Sequence, residues 1–71
     1  NDKINIKFGP NIQVSKPIKV FDILGKEVLM LKSSNIKNGS ISQSVNSLQK
    51  GIYLIRIDVD GVIINKKFIV N

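Results

Sequence analysis

Cysteine, histidine, tryptophan and alanine are all missing from this 71-residue chain, and glutamate occurs once, at Glu27. Without cysteine there is no disulfide framework, and the redox compartment cannot be read from thiol usage. Without cysteine and histidine, the usual thiol nucleophile, the usual general base and the soft metal ligands are also gone. The lack of alanine and near-lack of glutamate removes two of the strongest helix formers. Apolar runs such as Ile52 to Ile57 fall far short of the ~20 residues of a membrane span, so no stable membrane insertion is expected. The first residues show no basic, apolar and small-residue succession of a secretory signal, so an export address of that kind would lie on a larger precursor.

What the chain has instead is β-branched residues, with 13 isoleucines and 7 valines. That is the composition of strands. A chain of this length forms at most one domain and buries only about 60% of the surface its unfolded form exposes, so the core is small. The formal charge of +6 comes from ten lysines and one arginine spread along the whole length. Such spacing suits a solvated sheet surface whose charges protect its edges. Nucleic acid is not the expected partner, because Phe8, Phe21, Tyr53 and Phe68 all sit in apolar strand patterns where core packing explains them.

Taken in order, Lys3 to Phe8 alternates with Ile4, Ile6 and Phe8 on one side, and Gly9-Pro10-Asn11 ends the strand. Ile12 and Val14 suggest a brief extended piece. Pro17 opens a strand from Ile18 to Asp22, a position where its missing amide hydrogen is tolerated. Asp22-Ile23-Leu24-Gly25-Lys26 reads as a hairpin loop, with a type I turn from Asp22 and a left-handed Gly25. Ile23 and Leu24 at its tip are expected to be locally packed.

The next strand, Lys26 to Lys32, is apolar on both faces, which predicts a place inside the sheet or under a second layer. Asn38-Gly39 is a type I′ turn signal that would pair 32–37 with 40–45, placing Ile41, Gln43 and Val45 on one face. The same residues with Ser40 match a glycosylation acceptor pattern, a tripeptide common by chance.

Leu48-Gln49-Lys50-Gly51-Ile52-Tyr53 hands a serine-rich polar stretch into the longest apolar run. Ile52 to Val59 is a strand with Tyr53, Ile55, Ile57 and Val59 inward, and Asp60-Gly61 turns it into a last strand, Val62 to Val70. A strict two-residue turn sets Tyr53 against Phe68 and Ile55 against Lys66. Burying Lys66 is unfavourable, so either its stem reaches along apolar surface to water or a bulge near Asn65 shifts the register; the bulge is the expectation. Leu48, Gly51 and Tyr53 form the Leu-x-x-Gly-x-Tyr pattern of a tyrosine corner, in which the hydroxyl bonds back to upstream backbone. The fold class is therefore all-β, a small immunoglobulin-like antiparallel β-sandwich of six to seven strands.

Catalytic chemistry finds no material here. Glu27 and Asp22 flank a hairpin and make a poor carboxylate pair. Asp58 and Asp60 suit turn geometry, and two carboxylates fall short of a calcium site. The glycines lack phosphate-binding spacing. The expectation is a non-enzyme without metal or cofactor.

Three blocks taken together resemble a known family. They are Ile18-Lys19-Val20-Phe21-Asp22-Ile23-Leu24-Gly25-Lys26-Glu27-Val28, then Leu48-Gln49-Lys50-Gly51-Ile52-Tyr53-Leu54-Ile55-Arg56-Ile57, then Gly61 with Lys66-Lys67-Phe68-Ile69-Val70. Their order, spacing and position against the chain end are similar to the type A C-terminal sorting domain of type IX (Por) secretion cargo from Gram-negative bacteria. The Pro-Asn-Pro-like segment that usually precedes the first strand is missing, which implies that residues 1–71 are a single C-terminal domain cut from a larger secreted protein.

The resemblance implies a non-catalytic address label fused behind an N-terminal cargo domain. Its expected partners are the type IX translocon, met from the periplasmic side, and a sortase-like peptidase that removes the label upstream of Asn1. The cargo then ends up secreted or at the cell surface, free or joined to anionic lipopolysaccharide. By position, the family's recognition residues fall on Gly25 and Lys26, on Leu48, Gly51 and Tyr53, and on Lys66, Lys67, Phe68 and Val70. The competing reading is an immunoglobulin-like or fibronectin-like module that binds carbohydrate or acts as a spacer in an adhesin or secreted enzyme.

Overall fold

In chain order the strands are β1 (Lys3–Lys7), β2 (Ile18–Asp22), β3 (Glu27–Leu31), β4 (Ser40–Ser44), β5 (Gly51–Val59) and β6 (Val62–Val70). They come from a computed structural model that describes residues 3–71. All pairings are antiparallel and form two sheets, β1-β4 and β3-β2-β5-β6. The six strands make the expected small sandwich, with unequal layers. Among the described residues no helix is long and apolar enough to cross a membrane.

Strict alternation in β5 buries Tyr53, Ile55 and Ile57 while Ile52, Leu54 and Arg56 face out, as the period of a pleated strand requires. Val20 of β2 lies opposite Ile55, and the small sheet supplies Ile4 and Ile41 from the other side. Ile18, Leu31, Val45 and Val70 complete the buried core. Each aliphatic side chain so buried contributes about 1.5–3 kcal/mol. Among the described residues, no polar or charged residue is buried with them.

The turns follow their local chemistry. Asn38 and Gly39 have φ of 52° and 77°, and Asp60 and Gly61 have 53° and 85°, the two positive values that a type I′ turn needs. In the β2–β3 loop the Asp22 carboxylate accepts hydrogen bonds from the amides of Leu24 and Lys26, each at 2.9 Å. The Gly25 amide donates to the Asp22 carbonyl at 3.0 Å.

Five expectations need correction. The β5–β6 register is unbroken from Val59↔Val62 to Gly51↔Val70, with Ile55↔Lys66 inside it; there is no bulge near Asn65. Lys66 needs none, because the two-stranded sheet does not extend over β6 and the side chain stays exposed.

A bulge does occur elsewhere, between β2 and β3, where Val20 pairs with Leu29 but Phe21 with Glu27. It lets both Val28 and Leu29 pack against the core, so β3 is apolar on successive residues although it is an edge strand, with Met30 left exposed.

The segment before Asn38 pairs with the one after Gly39 only through Lys37↔Ser40. Ser33–Asn35 instead forms a 3-10 turn that carries the chain from one layer to the other, where β4 pairs with β1. No strand forms at Ile12 or Val14, though Val14 packs against the core. Finally, Ile23 and Leu24 are 75% and 89% exposed, because they occupy the two outermost positions of a tight turn with no layer above them.

Candidate functional site

Three sequence-distant blocks meet at one end of the four-stranded sheet. Asp22, which begins the Gly25-Lys26 loop, is the register partner of Tyr53, and Tyr53 is that of Phe68. Asp22, Tyr53 and Phe68 therefore form one row across three strands. One step further out, Gly51 pairs with Val70. Sequence positions 25–26, 48–53 and 66–70 are thus one structural neighbourhood built on β2, β5 and β6.

The clasp in this neighbourhood is the tyrosine corner. The Tyr53 hydroxyl donates to the Gln49 carbonyl at 2.7 Å, and the ring stacks on Phe68 with centroids 5.4 Å apart and planes 25° from parallel. The ring's apolar body and polar tip are both satisfied. Leu48 is half-buried against the core, and its amide donates to the Val45 carbonyl at 2.9 Å. Gly51 adopts φ 156°, and a Cβ placed there would sit 3.9 Å from Tyr53 Cε2, an ordinary contact. Glycine is needed here for its backbone conformation, not for space. The same holds at Gly25, where φ is 85° and nothing lies within 4 Å of a built Cβ.

Not every candidate side chain is available to a partner. Tyr53 and Val70 are buried, and Phe68 is half-buried, whereas Lys26, Lys66 and Lys67 are exposed. Apolar Ile23 and Leu24 stand beside Gly25 and Lys26. On the outer face of the hairpin Ile52, Leu54 and Ile69 are 45%, 44% and 58% exposed. Phe21 belongs to that outer face rather than to the core: the Arg56 guanidinium lies over its ring, 4.8 Å from the centroid. The strand pattern could not reveal this, because the face of Phe21 depends on which side of β2 is covered.

The family of this fold unit is decided by comparison across its length. Residues 1–71 match the family described as "Secretion system C-terminal sorting domain". The chain belongs to this family. No curated protein and no solved structure matches it. The sorting domain is a type IX secretion signal, which implies interaction with the type IX machinery and export to the cell surface or across the outer membrane. Its family is one of sorting signals.

One feature of the sorting domain escapes a reading along the sequence. β6 is an edge strand, and β1 pairs with β4 on one side only. Between β1 and the β5–β6 hairpin lies a cleft of about 530 Å³. Lys3 and Lys7 line it from one layer, Lys66 and Lys67 from the other, and no carboxylate is among the lining residues. Ile6, Phe8, Ile57, Ile64 and Phe68 are among its apolar lining residues. β1 and β6 lie at opposite ends of the chain and in different sheets, so only packing brings their lysines together.

At the far end of the hairpin, Asp58 has a structural duty. Its carboxylate accepts the Gly61 amide at 2.8 Å and meets Lys16 Nζ at 3.2 Å. The Gly61 hydrogen bond, then the Lys16 hydrogen bond and charge, hold its pKa below the ordinary carboxylate value.

Proposed function

We propose that this domain is a removable C-terminal address label, fused behind a secreted cargo domain and read at the type IX translocon from the periplasmic side. The carrying observation is the row Asp22, Tyr53, Phe68, which gathers three distant sequence blocks at one end of one sheet. Gly25, Lys26, Leu48, Gly51, Tyr53, Lys66, Lys67, Phe68 and Val70 make up the recognition neighbourhood, with a division of labour. Tyr53, Gly51, Leu48, Phe68 and Val70 set the shape, while Lys26, Lys66 and Lys67 offer charge and the β6 edge offers unpaired backbone.

A sortase-like peptidase then cuts upstream of Asn1, and the cargo is released or attached to anionic lipopolysaccharide at the surface. Against a carbohydrate-binding module stands the placement of the aromatics. Phe8, Tyr53 and Phe68 are packed against the core or within it, and Phe21 is covered by Arg56.

The test is export of a periplasmic reporter carrying the domain at its C-terminus. Removal of 65–71 should abolish export. The Lys66→Ala, Lys67→Ala pair, which leaves the core untouched, should reduce export while circular dichroism and melting stay unchanged. Normal export by both variants would refute the reading.

A further inference from the structure

The two layers of the sandwich are unequal, and the shortfall is on one side. The small sheet covers the core face of β2 and β5 but stops at β1, leaving Ile64, Lys66 and the half-buried Phe68 of β6 without a layer opposite. The free edge of β1 borders this gap, since the cleft is lined by β1 and β6 and by no residue of β4. A third strand beside β1 would occupy it. Every second side chain of such a strand would point inward, next to Ile4 and Ile6 and over Ile57, Ile64 and Phe68. The intervening side chains would point outward, level with Lys3 and Lys7, which alternate with inward residues along β1. Charges directly across a strand pair attract or repel most strongly, so outward acidic residues fit and outward basic ones do not. No acid lines the cleft to oppose this preference.

We propose that the β1–β6 cleft receives an extended segment of a partner protein in which apolar and acidic residues alternate, added as a third strand to the edge of β1. Backbone hydrogen bonds supply affinity, the apolar residues complete the core over β6, and the acidic residues pair with Lys3 and Lys7. The inference rests on the sorting reading for the source of the strand, a component of the export machinery, and its test is separable from that reading.

The probe is a capped seven-residue peptide alternating valine and glutamate, titrated into the isotopically labelled 71-residue chain and followed by amide chemical shifts. Shifts should concentrate in Lys3 to Lys7 and at Ile64, Lys66 and Phe68. The Lys3→Glu, Lys7→Glu variant, altered only at exposed positions, should bind about tenfold more weakly and should now prefer the valine–lysine peptide. Methylating alternate peptide nitrogens on the edge facing β1 should abolish the shifts.

Equal binding of the glutamate and lysine peptides, shifts centred on Ile52, Leu54 and Ile69, or no shifts at about 1 mM peptide would each overturn the proposal. So would protection of the β1 amides in a cargo fusion without peptide, since the precursor's own chain would then fill the cleft. Export of the wild-type reporter fusion is scored in parallel. Export without peptide binding removes only the cleft proposal, and absence of export removes the sorting reading itself.

Discussion

Removing a single oxygen, in Tyr53→Phe, isolates the contribution of the corner. The ring, its stacking on Phe68 and its core contacts all remain, and only the 2.7 Å hydrogen bond to the Gln49 carbonyl is lost. Gln49 is exposed, so water can replace the hydroxyl at that carbonyl, and the cost stays near the mean for a hydrogen bond, about 1 kcal/mol. A 71-residue chain has an unfolding entropy of about 150 cal/mol/K, which converts this into a fall in Tm of about 7 °C. Total stability for such a chain is about 4–10 kcal/mol, so the variant still folds.

Tyr53→Ala differs in kind. Loss of a buried aromatic costs about 3–5 kcal/mol, and loss of the stacking adds about 0.5–1.5 kcal/mol. Together these approach the whole stability. Urea and thermal unfolding of both variants, with reporter export measured at the same temperature, provide the assay. Tyr53→Phe should export and Tyr53→Ala should not. A Tyr53→Phe protein within about 0.3 kcal/mol of wild type would refute the view that the hydroxyl clamps the crossover.

Three further outcomes are expected. Gly51→Ala should destabilise by about 1–2 kcal/mol through its φ of 156° and not through steric clash; chemical denaturation checks this, and reduced export in that variant should scale with unfolded fraction. Ile55→Ala should cost about 2–5 kcal/mol, since Ile55 lies at the centre of the core opposite Val20. Asp58 has a lowered folded pKa, so its contribution is fully present above the unfolded value of about 3.9 and is lost as pH falls through the folded one. Melting curves from about pH 6 down to about pH 2 should fall more steeply for wild type than for Asp58→Asn.

Local features were legible because their causes are local. The Asp22 and Asp60-Gly61 turns, the alternation of Tyr53, Ile55 and Ile57, and the Leu48-Gly51-Tyr53 corner depend on residues within a few positions of one another. Ile23 and Leu24 were misplaced because composition suggests burial while a turn tip offers nothing to bury against. β3 was misplaced because the bulge after Val20 turns consecutive apolar residues inward, which imitates a strand covered on both faces.

By itself the sequence determined the all-β class, the four short strands flanked by turn residues, the long terminal hairpin and the membership of the sorting family, since each is carried by periodicity, turn chemistry or ordered blocks. Tertiary structure alone decided that β4 leaves its sequence neighbour to pair with β1, that Lys66 needs no bulge because no layer covers it, and that Lys3 and Lys7 share a cleft with Lys66 and Lys67. The reason is physical. Strand pairing and the facing of two sheets are set by the sum of contacts between segments far apart in the chain, and no single segment carries that sum.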